Sequence, residues 1–261
     1  MRLKGRRALV TGGGRGIGRA IALAFAEEGA DVAVLARTGA EIDSVAAEIE
    51  AFGTRGAALR CDAGRSDDVA AAVDEAAARL GGGIDVLVAN AGMMRHAAVG
   101  ETTDEMWEET LRVNLSGVFW ATRAAIGPMA ERGWGRVIAM SSVSGKVGGA
   151  YRSAYHAAKH GVIGFVRSVA LEVAGSGVTV NAICPGFVDT RMISDAKSDF
   201  ARISGDGRSE EETMNMFRES IPMKRFLDPS EIAAMAVYLA SGAAGGITGQ
   251  AFTISCGSVQ I

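Results

Sequence analysis

The sequence predicts a doubly wound α/β fold, in which a mostly parallel sheet of seven strands carries helices on both faces. Short apolar segments alternate with amphipathic, often alanine-rich segments, and this alternation is typical of parallel strands joined by helices. Near the N-terminus an apolar strand enters a turn with glycines at five positions, just before the first helix. Because 261 residues suit one large α/β domain, we expect residues 1–261 to form a single domain.

The order of elements follows from this alternation. The first strand begins at Arg7, and the other predicted strands are Asp31–Ala36, Ala57–Cys61, Ile84–Ala89, Val137–Met140, Val178–Cys184 and Gly249–Ile254. The predicted helices are Arg19–Glu28, Glu41–Phe52, Asp67–Leu80, Asp104–Trp134, a helix that carries Tyr155 and Lys159, and a last helix that Asp228 caps and that ends at Ala240. After Pro185 and Gly186 the sixth strand is expected to continue through Phe187–Thr190.

Composition excludes several classes of protein. The chain is 48% hydrophobic and 22% charged with a net charge of -3, which is typical of soluble globular proteins and gives no electrostatic bias toward nucleic acid or anionic membranes. No segment reaches the roughly 20 apolar residues of a membrane span, and no signal-peptide cleavage region precedes the first strand. We therefore expect a cytoplasmic protein with neither nucleic-acid nor membrane partners.

Cysteines and histidines do not predict a metal site. Cys61, Cys184 and Cys256 are scattered singly in apolar surroundings, as small core residues are. His156 and His160 have the spacing of helical zinc ligands, but no acidic residue accompanies them in the required place.

The glycine-rich turn predicts a dinucleotide-binding site. Glycines let the backbone approach a pyrophosphate, and the following helix presents free amides and a positive dipole end to it. The residues expected to bind the cofactor here are Gly12, Gly14, Arg15, Gly16, Ile17 and Gly18.

The end of the second strand predicts which nicotinamide cofactor is used. An acidic residue there would bind both ribose hydroxyls of NAD, but this sequence has Ala36 followed by Arg37. Arg37 and Arg15 together suit a 2′-phosphate, so NADP(H) is favoured over NAD(H). The alternative is that either arginine is a solvated surface charge.

Three further segments are expected at the cofactor. At the third strand, Asp62 and Ala63 are expected near the adenine, although Asp62 would equally well cap the helix that begins near Ser66. At the tip of the fourth strand, the small residues and amide of Asn90–Ala91–Gly92 let the cofactor cross the sheet edge. After the sixth strand, Pro185, Gly186, Val188 and Thr190 are expected to turn the chain across the cleft toward the nicotinamide amide; the alternative is an ordinary turn.

A reaction centre is predicted around Tyr155. Lys159 lies four residues later on the same helical face, and its ammonium would lower the pKa of the phenol from about 10 toward neutrality. Ser142 follows a strand end, where α/β enzymes place their polar groups. A tyrosine and a lysine at this spacing also occur on ordinary solvated helices. Asn114 must be hydrogen-bonded if it is buried, either as a structural link or as part of a polar relay.

Residues 190–226, and Met192–Phe226 in particular, predict a lid over the substrate. They have little strand character but more apolar residues than a solvated loop needs. The alternative is a helical pair at a subunit contact. The helix that carries Tyr155 has small residues at Ala157, Ala158, Gly161 and Gly164, and small side chains allow close helix packing across a subunit interface.

With these motifs, the chain resembles the short-chain dehydrogenase/reductase superfamily over almost its whole length. Thr11–Gly18 resembles the family's cofactor motif, and Asn114, Ser142, Tyr155 and Lys159 resemble its catalytic tetrad; Ser142 matches because it lies thirteen residues before the tyrosine. The resemblance implies a single Rossmann-type domain, hydride exchange between nicotinamide and a ketone or acyl-thioester substrate, and a homotetramer or homodimer. It also implies that Tyr155 and Lys159 take part in cofactor binding, with Lys159 at the nicotinamide ribose.

The resemblance does not select a subtype. The sequence is similar to 3-oxoacyl reductases, to polyketide ketoreductases and to hydroxybutyrate or sugar dehydrogenases. An NAD-linked alcohol, sugar or hydroxy-acid dehydrogenase is therefore the alternative, and the complete tetrad argues against a non-catalytic NADP-binding protein. The tail Ser255–Ile261 departs from relatives, which usually carry an Asp/Gly-Gly pair there.

Overall fold

A computed structural model describes residues 1–205 and 207–261. Its centre is a seven-stranded sheet with the strand order β3-β2-β1-β4-β5-β6-β7, and every neighbouring pair is parallel. The strands are β1 (Arg7–Thr11), β2 (Asp31–Ala36), β3 (Gly56–Arg60), β4 (Val86–Ala89), β5 (Gly135–Met140), β6 (Val178–Pro185) and β7 (Ala251–Ile254). The predicted doubly wound fold is confirmed, and the sheet is wholly parallel rather than mostly so.

Helices cover both faces of the sheet. They are α1 (Gly16–Glu27), α2 (Gly39–Glu50), α3 (Ser66–Arg79), α4 (Asp104–Leu111), α5 (Gly117–Glu131), α6 (Ser153–Glu172), α7 (Arg191–Asp195), α8 (Lys197–Ser204), α9 (Glu210–Ser220) and α10 (Pro229–Ala240). None of the helices in the described part of the chain is both long enough and apolar enough to span a bilayer.

Successive residues of each strand enter different cores. In β1, Ala8 and Val10 pack in the core formed with α1, α2 and α10, whereas Leu9 packs in the core formed with α3, α5 and α6. This is the alternation expected of a strand buried on both faces. The strand order reverses between β1 and β4, and in open parallel sheets a cleft forms at the carboxyl ends of such strands.

The predicted helix Asp104–Trp134 is divided. A single π-helical turn, Arg112–Ser116, separates α4 from α5. Asn114 lies in this turn, and its amide Nδ2 donates to the Thr110 carbonyl oxygen at 2.9 Å. A π-helical turn contains one residue more than an α-helical turn, and such turns are common at functional sites. Here the turn directs the Asn114 side chain toward the carboxyl edge of the sheet.

The expected continuation of the sixth strand through Phe187–Thr190 is wrong. Beyond Pro185 the only pairing found in the described chain is one isolated parallel bridge between Val188 and Leu227. The chain then enters α7 at Arg191. Proline and glycine at the strand end explain the break, because they favour a turn over further ladder pairing.

Residues predicted as a lid form helices α7, α8 and α9. Phe200 and Met214 from these helices are buried with Ala196 in a small core of their own. Phe187, from the segment after β6, stacks on Phe217 with ring centroids 5.7 Å apart. The three helices therefore pack as one apolar unit against the segment that leaves the sheet.

Candidate active site

The glycine turn is shaped by close backbone approach. Gly12 has a φ of +65°, and a Cβ there would lie 2.9 Å from the Cα of Ala91. A Cβ on Gly18 would lie 2.2 Å from the carbonyl oxygen of Gly12. Helix α1 begins directly after this turn, and no side chain caps its first amides, so the turn has the free donors and the open backbone that a pyrophosphate requires.

Asn90 links the end of β4 to this turn by hydrogen bonds. Its backbone N–H donates to Thr11 Oγ1 at 2.9 Å, and its side-chain Nδ2 donates to the carbonyl oxygens of Thr11 and Gly12 at 2.9 and 3.2 Å. The Ala91 N–H donates to the same Thr11 hydroxyl at 3.0 Å. Thr11 belongs to the motif Thr11–Gly18 but was not among the predicted site residues; its polar side chain at the end of β1 was the available signal.

Both predicted arginines line the glycine-turn cleft. Arg37 is exposed at the end of β2, and Arg15 forms an ion pair with Glu41 with a 3.5 Å N–O separation. Glu41 also approaches Arg191 at 4.0 Å. Sequence reasoning missed Glu41, which stands in the first turn of α2 and partly neutralises one of the two cationic groups.

Asp62 does not cap the following helix. Its Oδ1 accepts from the Gly64 N–H at 2.9 Å, whereas α3 begins at Ser66 with Arg65 as its cap residue. The carboxylate instead borders the cleft. The predicted cofactor residues that line this cleft are Gly12, Gly14, Arg15, Gly16, Ile17, Gly18, Arg37, Asp62, Ala63, Asn90, Ala91, Gly92 and Thr190.

A second cavity adjoins the first, and the two share Ile17, Asn90, Gly92 and Thr190. The structure brings all of the remaining predicted site residues together on its wall. These are Asn114, Ser142, Tyr155, Lys159, Pro185, Gly186 and Val188.

Ser142 lies just beyond β5, and its hydroxyl is held by the following turn. Its Oγ accepts from the Ser144 N–H at 3.1 Å and lies 3.5 Å from the Pro185 carbonyl oxygen, to which it donates. The Ser142 hydroxyl also acts to lower the pKa of the Tyr155 phenol, and both residues line the same cavity. The two hydroxyls therefore lie near each other on the cavity wall, as expected for groups that bind one substrate oxygen.

The expected lowering of the Tyr155 pKa toward neutrality is wrong for this structure. Burial raises the pKa of Tyr155 above its ordinary value of 10.0, and the hydrogen bond with Ser142 and the charge of Arg152 oppose this only in part. Lys159 does not contribute, because its ammonium donates to the Met140 carbonyl oxygen at 2.8 Å and lies 5.6 Å from the centroid of the Tyr155 ring.

Burial also shifts the pKa of Lys159. It is only 3% exposed, and burial lowers the pKa of its ammonium to about 8. The group therefore remains mostly protonated at neutral pH, while its proton is held less tightly than that of an exposed lysine.

Asn114 is fully buried and links two segments. Its Oδ1 accepts from the Met93 N–H at 3.2 Å, and its Nδ2 donates to the Met93 carbonyl oxygen at 2.9 Å. This is the structural link considered from the sequence. A Cβ on Gly92 would lie 2.9 Å from Asn114 Oδ1 and 3.7 Å from Lys159 Nζ, so both polar groups also border the same small space.

Two residues of the second cavity were missed. Arg152 and His156 flank Tyr155 in the chain and line the cavity with it. The signal was available, because residues three apart at the start of a helix share a face. Among residues 1–205 and 207–261, the His, Cys, Asp and Glu side chains form no group of three or more that would hold a metal ion.

Comparison with known proteins identifies the family. The model for short chain dehydrogenase matches residues 6–200. The chain is 40% identical over 249 residues to D-beta-hydroxybutyrate dehydrogenase of Rhizobium meliloti, covering 94% of this chain and 95% of the relative. It is 38% identical over 253 residues to a 3-oxoacyl-acyl-carrier-protein reductase of Staphylococcus aureus, covering 97% of each.

A solved structure gives the same result. A variant of actinorhodin polyketide ketoreductase, crystallised with NADPH, superposes with a TM-score of 0.93 at 36% identity and covers 97% of each chain. The chain belongs to the short-chain dehydrogenase family. It is an oxidoreductase that uses a nicotinamide cofactor and acts on hydroxyl and ketone groups.

Proposed function

We propose that the protein is an NADP(H)-dependent reductase that interconverts a ketone or 3-oxo group and a secondary alcohol, with Tyr155 as the acid/base. The observation that carries this proposal is that Tyr155 and Ser142 line one cavity, which adjoins the glycine-turn cleft. Both groups are placed to bind one carbonyl oxygen, and such donors stabilise the charge that develops there.

Each residue of the tetrad has a separate role in this proposal. In reduction, Tyr155 donates a proton to the carbonyl oxygen while Ser142 donates a hydrogen bond to it; in oxidation, Tyr155 takes the proton back. The raised pKa of Tyr155 keeps the phenol protonated at neutral pH, which suits a proton donor. When bound, the nicotinamide supplies the hydride for reduction or accepts it in oxidation.

Lys159 and Asn114 complete the site behind the tyrosine. Lys159 would hold the nicotinamide ribose, and its lowered pKa lets it pass a proton more readily than an ordinary lysine does. The space above Gly92, between Asn114 Oδ1 and Lys159 Nζ, is where Asn114 would fix a water molecule in a proton path. Pro185, Gly186, Val188 and Thr190 would form the side of the cavity that faces the nicotinamide amide.

The preference for NADP(H) rests on Arg37 and Arg15. Arg37 is exposed on the cleft and forms no ion pair in the described part of the chain, so its guanidinium is free for a 2′-phosphate. We expect Arg37→Asp to weaken NADPH binding roughly 10- to 100-fold. The substitution removes a guanidinium that donates hydrogen bonds to the 2′-phosphate and puts a negative carboxylate beside it. NADH, which lacks this phosphate, should be affected far less. Titration of protein fluorescence with each cofactor gives both dissociation constants.

The matched control for this substitution is Arg60→Asp. Arg60 is an exposed arginine at the end of β3, the strand that neighbours β2, and it lies outside the cleft. We expect it to leave both dissociation constants within about twofold. Equal losses for NADPH and NADH in the Arg37 variant would contradict the 2′-phosphate assignment.

A second candidate is an NAD-linked hydroxy-acid, alcohol or sugar dehydrogenase. The ion pair between Arg15 and Glu41 favours it, because a carboxylate beside the adenosine ribose offsets one of the two cationic groups. D-beta-hydroxybutyrate dehydrogenase, one of the relatives, carries a hydroxy acid in its name. Rates with NADPH and NADH over one panel of ketones and alcohols, followed by nicotinamide absorbance, separate the two candidates.

We also propose a homotetramer or homodimer in the cytoplasm, with helices α5 and α6 at the subunit contact. Phe119 is 40% exposed and Leu171 is 81% exposed on these helices, more apolar surface than a solvated face requires. Gly161 does not belong to this contact, because a Cβ there would meet Leu115 of the same chain at 2.9 Å. Light scattering after size exclusion gives the mass, and a monomer would contradict the assembly.

A further inference from the structure

Arg152 is a half-buried cation without a counterion. It directly precedes α6 and lines the cavity that holds Tyr155. Within residues 1–205 and 207–261 its guanidinium forms neither a hydrogen bond nor an ion pair, and burial lowers its pKa. Other arginines with little exposure have partners: Arg7 donates to both carboxylate oxygens of Asp85, and Arg136 donates to backbone carbonyls. Arg6, which is also half-buried, lies over the ring of Trp134.

A second polar group without a partner borders the same space. His156 is 8% exposed, and its Nε2 is buried without a hydrogen bond in the described structure. Its Nδ1 donates to the Val147 carbonyl oxygen at 2.7 Å, so Nε2 is the free acceptor of the neutral ring and becomes a donor when the ring is protonated. Buried polar atoms without partners are rare and call for an explanation, and His156 lines the cavity in which a substrate would lie.

Gly149 packs closely against both groups. A Cβ on this glycine would lie 2.6 Å from His156 Nε2 and 3.0 Å from Arg152 Nη2. The two nitrogens therefore lie near each other, and a larger residue at this position would displace them.

The loop that presents Arg152 is held in a strained conformation. Tyr151 has a φ of 63°, which non-glycine residues rarely adopt, and its carbonyl oxygen accepts from the Ala97 N–H at 2.9 Å. Strain of this kind persists where the surroundings fix it, and it concentrates at ligand sites.

Asp199 of α8 does not supply the missing anion, because its carboxylate is engaged by His96 Nδ1 at 3.3 Å and by Arg202 at 3.3 Å. Among residues 1–205 and 207–261 no carboxylate pairs with Arg152, which leaves its guanidinium open to an anion from a ligand.

We propose that Arg152 binds a carboxylate of the substrate, with His156 beside it, and that the substrate is a short oxo or hydroxy acid. This inference rests on the proposed function, because Tyr155 defines where the reacting carbonyl lies. Arg152 is three residues before Tyr155 and lines the same cavity, so a carboxylate bound there suits a substrate in which it lies a few bonds from the reacting carbon. The phosphate of an acyl-thioester carrier lies many bonds from its ketone and does not fit this placement.

The test compares a free acid with uncharged derivatives of equal chain length. With NADPH, the native protein should reduce 3-oxopentanoate with a higher kcat/KM than its methyl ester or its N-acetylcysteamine thioester. We expect Arg152→Gln to lower the acid-to-ester ratio of kcat/KM about 10- to 100-fold, mainly through KM, and Arg152→Lys to restore part of it. Arg167→Gln, which changes an exposed arginine on the same helix, should leave the ratio unchanged.

A binding measurement keeps this inference separate from the proposed function. Calorimetric titration of the native protein with pentanoate, and with methyl pentanoate as the uncharged match, should show affinity for the acid that Arg152→Gln removes. Loss of turnover in the Arg152 variant by the same factor for acid and ester, with pentanoate affinity retained, would overturn the carboxylate site. Pentanoate binding that depends on Arg152 in a chain that reduces no ketone would instead overturn only the proposed function.

Discussion

Replacement of Tyr155 by phenylalanine is expected to lower kcat for ketone reduction by roughly 100- to 10,000-fold, the range attributed to general acid catalysis. The Tyr155 phenol lines the same cavity as Ser142, and phenylalanine keeps the ring while it removes the proton donor. NADPH should still bind with nearly unchanged affinity, because the glycine-turn cleft does not include Tyr155. Steady-state rates together with cofactor titration measure the two effects separately.

The matched control is Tyr238→Phe. Tyr238 is 40% exposed on α10 and lies outside both cavities, so its hydroxyl should be dispensable. A Tyr155 variant that retains most of its rate, measured beside this control, would refute the assignment of Tyr155 as acid/base. A variant that loses NADPH binding as well would show a structural defect rather than a chemical one.

The environment of Tyr155 shows where sequence reasoning stops. The spacing of Tyr155 and Lys159 placed both side chains on one helical face, and the structure has them on one cavity wall. The direction of the pKa shift was wrong because it depends on burial, which raises the pKa of a phenol, and on where the ammonium points. Neither quantity follows from a four-residue spacing.

The layout of the sheet was largely available from sequence because it depends on local patterns. Each predicted strand overlaps an observed strand, since a strand buried on both faces is a short apolar run bounded by turn residues. The π-helical turn at Arg112–Ser116 could not be read in this way. The turn is accompanied by hydrogen bonds between Asn114 and Met93. Met93 is distant in sequence, and no local sequence pattern predicts this pairing.

The sequence predicted which basic residues line the glycine-turn cleft, but it did not predict the acidic residue with which one of them forms an ion pair. Arg15 and Arg37 line the glycine-turn cleft together with Glu41, and Glu41 was not predicted there. An acidic residue in the first turn of a helix is ordinary by itself. Its contact with Arg15 arises only when the glycine turn and α2 are brought together.

Gly18→Ala is expected to lower both stability and NADPH binding, because the glycine turn lies very close to the residues that follow β4. The new methyl group would lie 2.2 Å from the Gly12 carbonyl oxygen and 2.6 Å from Asn90 Nδ2. Both neighbours are fixed, one by the backbone and the other by its hydrogen bonds to Thr11 and Gly12. We expect a destabilisation of about 3 kcal/mol, the upper end for overpacking, together with a loss of NADPH binding as the turn is displaced.

Gly39→Ala is the matched control, because Gly39 also lies in the first turn of a helix that follows a strand. A Cβ there meets only Asp43 Oδ2, at 3.9 Å, so Tm and the NADPH dissociation constant should both stay near their native values. Denaturant unfolding and cofactor titration of the two variants separate the steric effect from the general effect of replacing a helical glycine. If Gly18→Ala bound NADPH as tightly as Gly39→Ala, the close contact between the turn and Asn90 would not be what shapes the cofactor site.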